Sequence, residues 1–284
     1  MFMFRPLLAA AALPCVLIAA NAMAQTDSDP QDNRDSQEIK DGRDAKKPRR
    51  FRVSLGPELA PAYPGADNVS LSPLVDVAVA RGDEQFDFEA ADESIGFAVF
   101  QSHGFSIGPA LNIQTGRKRN EVHADLDEVG TTIELGGFAQ YWVAPYLRAH
   151  VELRQGVNGH KGLVSNAGLD FVARDGDRWL FALGPRLSLG NQRFQDAFFS
   201  VTPHEASATG LPVYRANGFA PYAVGANVTA LYALTPRWGI YSFAKYDRLV
   251  DDAARSPVVR QYGSRNQFSG GIGLSFTFGG GERR

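Results

Sequence analysis

From residue 51 to residue 278 the chain alternates apolar and polar side chains in runs too long for an ordinary sheet. In "NQFSGGIGLSFTF", residues 266–278, Phe268, Gly270, Ile272, Leu274, Phe276 and Phe278 share one face, and Ser269, Gly271, Gly273, Ser275 and Thr277 share the other. In "YLRAHVELR", Leu147, Ala149, Val151 and Leu153 oppose Arg148, His150, Glu152 and Arg154. A period of two is the mark of a strand whose two faces meet different surroundings. Strands of globular proteins run about 5–6 residues, whereas a tilted strand needs about 9–11 to cross a bilayer. The runs here have the second length, so the pattern predicts an all-β, antiparallel transmembrane β-barrel with its apolar face toward lipid and its polar face toward a lumen.

Twelve strands are expected (range 10–14), near 51–60, 71–80, 84–90, 95–101, 105–114, 131–143, 146–155, 164–174, 178–189, 219–234, 237–250 and 266–278. Short turns such as "RGD" 81–83, "AP" 144–145, "DGD" 175–177 and "TP" 235–236 alternate with longer connections, as in outer-membrane barrels. An even count puts both termini on the periplasmic side. "AADES" 90–94 is short where a long loop is expected. Gly-Pro recurs at 56–57, 108–109 and 184–185, and because Pro cannot donate to a ladder these sites suggest bulges or bends.

Residues 1–24 read as a signal peptide: Arg5, an apolar stretch through "PLLAAAALPCVLIAA", and "AMA" before Gln25. The single cysteine, Cys15, lies inside it, so a mature chain would offer no thiol chemistry. Residues 25–50 are almost devoid of apolar side chains and are expected to form a disordered periplasmic leader. Residues 51–278 form the barrel, and 279–284, "GGGERR", a flexible tail. With 29 Lys+Arg against 31 Asp+Glu there is no basic excess to suit nucleic acid.

No HExxH, GxSxG, phosphate loop or clustered metal-ligand spacing is present, so no enzyme, cofactor or metal is expected. Arg148, His150, Glu152 and Arg154 are expected to form a lumen-face network, in which Glu152→Gln should be cheap because the lumen can recruit water. An acid–base pair of His150 and Glu152 is the sharper alternative. Phe276 and Phe278 should anchor the last strand at the inner aromatic girdle, with "FRVSLGPEL" pairing against it to close the barrel.

"PAYPGAD" 61–67, "SATGLPVYRANG" 207–218 and "YDRLVDDAARSPVVRQYGSRNQFSGGIGLSFTF" 246–278 resemble the MltA-interacting protein (MipA/OmpV) family of outer-membrane proteins. The matching positions are Tyr63, Gly65, Asp67, Gly210, Leu211, Tyr214, Tyr246, Arg248, Leu249, Asp252, Ser256, Pro257, Gly263, Ser264 and Gln267. Asp251 stands where that family often has Gly, and the chain runs past Phe278 where such barrels usually end. The resemblance implies a scaffold in the Gram-negative outer membrane that organises a murein lytic transglycosylase and a murein synthase. The partners expected besides these are outer-membrane lipid, lipopolysaccharide and the barrel-assembly machinery. A narrow channel or small-solute porin is the alternative.

Overall fold

The computed structural model describes residues 48–279 apart from residue 123. The signal peptide, the leader up to residue 47 and the tail from residue 280 lie outside the described residues.

Ten long strands make most of one antiparallel sheet: β1 (Arg49–Pro61), β2 (Val69–Arg81), β5 (Phe105–Gln114), β6 (Thr132–Ala144), β7 (Leu147–Gly156), β8 (Leu163–Asp175), β9 (Trp179–Gly190), β10 (Ala220–Ala233), β11 (Trp238–Leu249) and β12 (Asn266–Phe278). Two short pieces, β3 (Ile95–Gly96) and β4 (Phe100–Ser102), pair with β5. The sheet runs β2-β1-β12-β11-β10-β9-β8-β7-β6-β5-β3. The first and last strands pair as the sequence predicts, with Phe51 opposite Phe278 and Leu55 opposite Leu274. Both chain ends of the sheet therefore lie at one end of the barrel.

The alternation becomes two faces. Phe268, Ile272 and Leu274 are 63%, 58% and 58% exposed, while Gln267 and Ser275 on the alternate face are 7% and 3% exposed. The outward set continues through Leu71, Val75, Val77, Val79, Ile107, Leu135, Val151, Leu153, Phe171 and Leu183. Apolar side chains turned outward around a sheet, with polar ones turned inward, are stable only where lipid is the outer solvent.

Two expectations are corrected. Residues 84–90 form no ladder. They turn into the barrel interior, where Phe86, Phe88 and Ala90 are buried. The Gly-Pro sites are not bulges: register shifts occur instead at Trp142/Ala144 and Pro221/Ala223. At Gly56 and Gly184 a side chain's Cβ would lie 1.8–1.9 Å from a carbonyl oxygen of the neighbouring strand, and at Gly108 1.9 Å from that of Phe97, between β3 and β4. Glycine is needed at these positions for close approach of two backbones.

The connections at the other end fold over it. Five short helices form there: α1 (Arg119–Val122), α2 (Gln192–Phe199), α3 (Pro203–Thr209), α4 (Asp251–Arg255) and α5 (Pro257–Tyr262). The side chain of Asn191 caps α2, accepting from the Phe194 amide at 3.2 Å. Thr202 and Glu205 form a reciprocal capping box on α3. Together these loops bury an apolar cluster that includes Tyr63, Val122, Leu126, Phe194, Phe198, Phe199, Val201, Leu211, Val258 and Val259. The cap is a small hydrophobic core built from residues far apart in sequence. Among the described residues no helix is long and apolar enough to cross a membrane.

Candidate functional site

The interior is occupied along the wall made by β7, β8 and β9. After β2, a turn at Gly82 and Asp83 leads residues 84–94 inside. Phe86, Phe88 and Ala90 are buried; Asp87 and Glu89 on the alternate face are not. Phe88 and Ala90 pack on Val172 and Ala182, with Trp142 and Leu180 at the edge of the cluster. The guanidinium of Arg52 lies 4.6 Å from the Phe86 ring centre, and that of Arg148 4.5 Å from the Phe88 ring centre. Such cation–π contacts are strong when desolvated.

The residues expected to form a lumen network are brought together by β7. Arg148, fully buried, donates to the Phe88 carbonyl at 2.9 Å, to Gln140 at 2.9 Å and to Asp170 at 2.9 Å, and it also pairs with Glu93. Glu152 accepts from the Ser94 amide at 2.9 Å and its hydroxyl at 2.7 Å, and pairs with Arg154. Arg154 also donates to Glu134 at 2.9 Å. The Nδ1 atom of His150 lies 3.4 Å from Glu93 and 3.5 Å from Asp170. The network therefore tethers a lumen segment as well as lining the wall. Sequence pattern cannot show this, because the partners Asp92, Glu93 and Ser94 fall in the short connection 90–94 and carry no strand register. Further along, Asp92 accepts from Arg186 at 2.9 Å and lies 3.2 Å from the Lys245 ammonium.

Glu93, His150 and Asp170 offer three ligand atoms close enough for one cation. The Arg148 guanidinium already holds both carboxylates, and Arg186 holds Asp170 at 2.7 Å. The positive charge that these acids require is supplied by arginine. His160, in the 157–162 connection, is buried and lies 2.9 Å from Glu134, joining the cap to the same network. On the far side of the lumen segment a cavity of about 290 Å³ lies between Asp87 and Phe88 and the wall at Gln101, Ser106, Gln140 and Trp142.

The positions that carry the family resemblance gather in and beneath the cap. Gln267 accepts from the Gly65 amide at 3.0 Å and donates to the carbonyls of Ala66 and Ser264 at 2.9 and 2.8 Å. Gly65 has φ +96°, a conformation open to glycine. Gly263 bridges to Ala66, and the Ser264 amide donates to the Gly65 carbonyl at 3.0 Å. Ser256, ahead of Pro257, donates to the Phe199 carbonyl at 2.7 Å. Asp252 accepts from the Tyr214 hydroxyl at 3.2 Å, the Asn217 amide at 2.9 Å and Arg255 at 2.7 Å. The Arg255 hydrogen bond holds the Asp252 carboxyl below the usual carboxylate range.

Gly210 ends α3 at φ +74°, and Leu211 enters the cap core. Tyr246 and Arg248 both donate to Asn266, and the Leu249 amide donates to the Arg265 carbonyl. Asp67 is exposed at the rim. Burial pushes the Tyr63 phenol up to about 12. Asp251, found where glycine is expected, sits at φ +48°, which explains the preference for glycine there. At the terminal end, Phe276 packs against Trp238 and Phe278, with ring centres 4.6 Å apart in each pair.

A family profile described as "MltA-interacting protein MipA" matches residues 53–278. No curated protein matches the chain. Among solved structures, the KdgM porin is 11% identical, covering 82% of this chain and 99% of that one, at a TM-score of 0.37. The NanC porin is 12% identical, covering 80% and 98%, at a TM-score of 0.38. The outer membrane protease OmpT from Escherichia coli is 13% identical, covering 82% and 97%, at a TM-score of 0.26. Likenesses this distant say nothing of what the chain does.

Proposed function

The chain belongs to the MltA-interacting protein MipA family, and from that premise we propose that it is an outer-membrane β-barrel scaffold for murein-remodelling enzymes. A murein lytic transglycosylase is the expected partner, with a murein synthase alongside. The observation that carries the reading is the cap. Four of the connections at one end share a single buried apolar core, anchored by Phe194, Phe198 and Phe199, where a diffusion pore would keep an open mouth. The family-specific positions Gly65, Leu211, Ser256 and Gln267 serve that closure.

On this reading the capped end faces outward. The end that carries Arg49 and Phe278 faces the periplasm and presents short turns to the partner. Crosslinking of envelopes through photoreactive groups at the 235–237 and 176–177 turns tests it. Recovery of a murein transglycosylase supports the scaffold; recovery of lipopolysaccharide at those turns reverses the orientation and removes the scaffold surface. A small-solute channel is the second reading, favoured by the cavity of about 290 Å³ beside the lumen segment.

A further inference from the structure

The barrel wall has a seam. β2 pairs with β1 on one side, and among the described residues its other edge, Val69 to Ala80, makes no backbone hydrogen bond. Across the seam, β3 and β4 pair only with β5. In a bilayer each unsatisfied backbone group costs several kcal/mol. Something must cover this edge.

The chain itself supplies a fitting piece. The turn at Gly82 and Asp83 is already closed, with the Glu84 amide donating to the Arg81 carbonyl at 3.0 Å and Gly82 at φ +54°. Extending that two-residue hairpin places Phe86 opposite Val79, Phe88 opposite Val77 and Ala90 opposite Val75. Residues directly opposite in an antiparallel pair point to the same face. Val75, Val77 and Val79 all point outward, about half exposed.

The other side agrees. The Glu93 amide donates to the Ala90 carbonyl at 3.1 Å, which marks a turn over 91–94. Continuing from that turn sets Ala90 opposite Ile95, Phe88 opposite Phe97 and Phe86 opposite Val99. Those three partners are 73%, 64% and 66% exposed. Both registers therefore turn Phe86, Phe88 and Ala90 to lipid and Asp87 and Glu89 to the lumen. A one-residue slip in either would reverse the faces.

We propose that residues 84–90 are a displaceable wall strand, which in the bilayer leaves the lumen and docks between β2 and β3–β4. The segment behaves as a strap. Its ends stay fixed at the 82–83 turn and at Asp92, Glu93 and Ser94, whose bonds to Arg186, Lys245, Arg148 and Glu152 lie in or beyond the second turn. Only the middle moves. It gives up the Asp177 contact to the Phe86 amide, the Arg174 contact to the Phe86 carbonyl and the Arg148 contact to the Phe88 carbonyl. It gains two ladders.

The test uses paired cysteines in the mature chain, which has no cysteine of its own on the expected cleavage. Val77→Cys with Phe88→Cys reports the docked strand; Phe88→Cys with Val172→Cys reports the lumen position. Each chain is folded into phosphatidylethanolamine–phosphatidylglycerol vesicles and treated with a short bifunctional thiol reagent. The expected result is a cross-link in most Val77–Phe88 chains, and a several-fold lower yield for Phe88–Val172. The reverse ratio overturns the proposal. The unsubstituted chain gives the same reading by magic-angle-spinning NMR, so a cysteine variant that fails to fold does not leave the matter open. A Val77–Phe88 contact supports docking, and its absence overturns it.

Discussion

Phe51 of the first strand stands directly opposite Phe278 of the last, beside the edge-to-face pair Trp238 and Phe276. This ladder joins the first strand of the chain to its last. Phe278→Ser removes an aromatic anchor at the point where the joint meets the interface. It should lower the yield of heat-modifiable, folded barrel in outer-membrane fractions several-fold. Deletion of residues 280–284, beyond the last ladder pair, should leave that yield unchanged.

Val151 and Glu152 are neighbours on β7 with opposite surroundings. Val151→Arg puts a charge on the outward face and should cost about 2–4 kcal/mol if that position lies near the bilayer midplane. From sequence alone Glu152→Gln looked cheap. The structure reverses that expectation, because Glu152 is 3% exposed and holds both Arg154 and Ser94. Removing one partner of a buried ion pair costs about 3–5 kcal/mol. Urea titration of the folded barrel in lipid should show comparable losses, and only Glu152→Gln should loosen residues 84–94 to protease.

In the cap, Gln267 satisfies three backbone groups, whereas the buried Tyr63 hydroxyl has no hydrogen-bond partner among the described residues. Gln267→Leu should destabilise the cap by about 1–3 kcal/mol, the usual cost of unsatisfied buried polar groups. Tyr63→Phe should be neutral or stabilising by up to about 1 kcal/mol. Amide hydrogen exchange at Gly65 separates the two.

Asp252 supplies a pH dependence whose sign is fixed. Its folded-state pKa is depressed, so its contribution is complete above the ordinary carboxylate value of about 4 and is lost as pH falls through the lower folded value. The Asn217 amide, which donates to Asp252, should keep its NMR shift from neutral pH down to about 4 and move only below it. Movement in the range of about 5–6 would show that Arg255 does not hold the carboxylate.

The two faces of the wall were legible because lipid and lumen impose a period of two, which β5, β7 and β9 keep along most of their length. The same rule gave no sign that residues 84–90 lie inside the lumen in this structure. "EQFDFEA" alternates as well as any wall strand, and alternation cannot say whether the apolar face meets lipid or a packed interior. The cap was illegible for a different reason. Its helices are short, its core residues come from four separate connections, and Phe194, Phe198 and Phe199 acquire meaning only beside Tyr63 and Val259. The family-matched positions pointed to this region before its geometry was visible, and the departure at Asp251 falls where φ is +48°, a conformation that favours glycine.

The central claim, a capped barrel that serves as a scaffold, is tested most directly by single-channel conductance in planar bilayers. The mature chain should show no stable conductance, and a variant in which residues 192–217 are replaced by a short Gly-Ser linker should conduct in discrete steps. Steady ohmic conductance of the intact chain, unchanged by that replacement, would contradict the account and make the protein a channel.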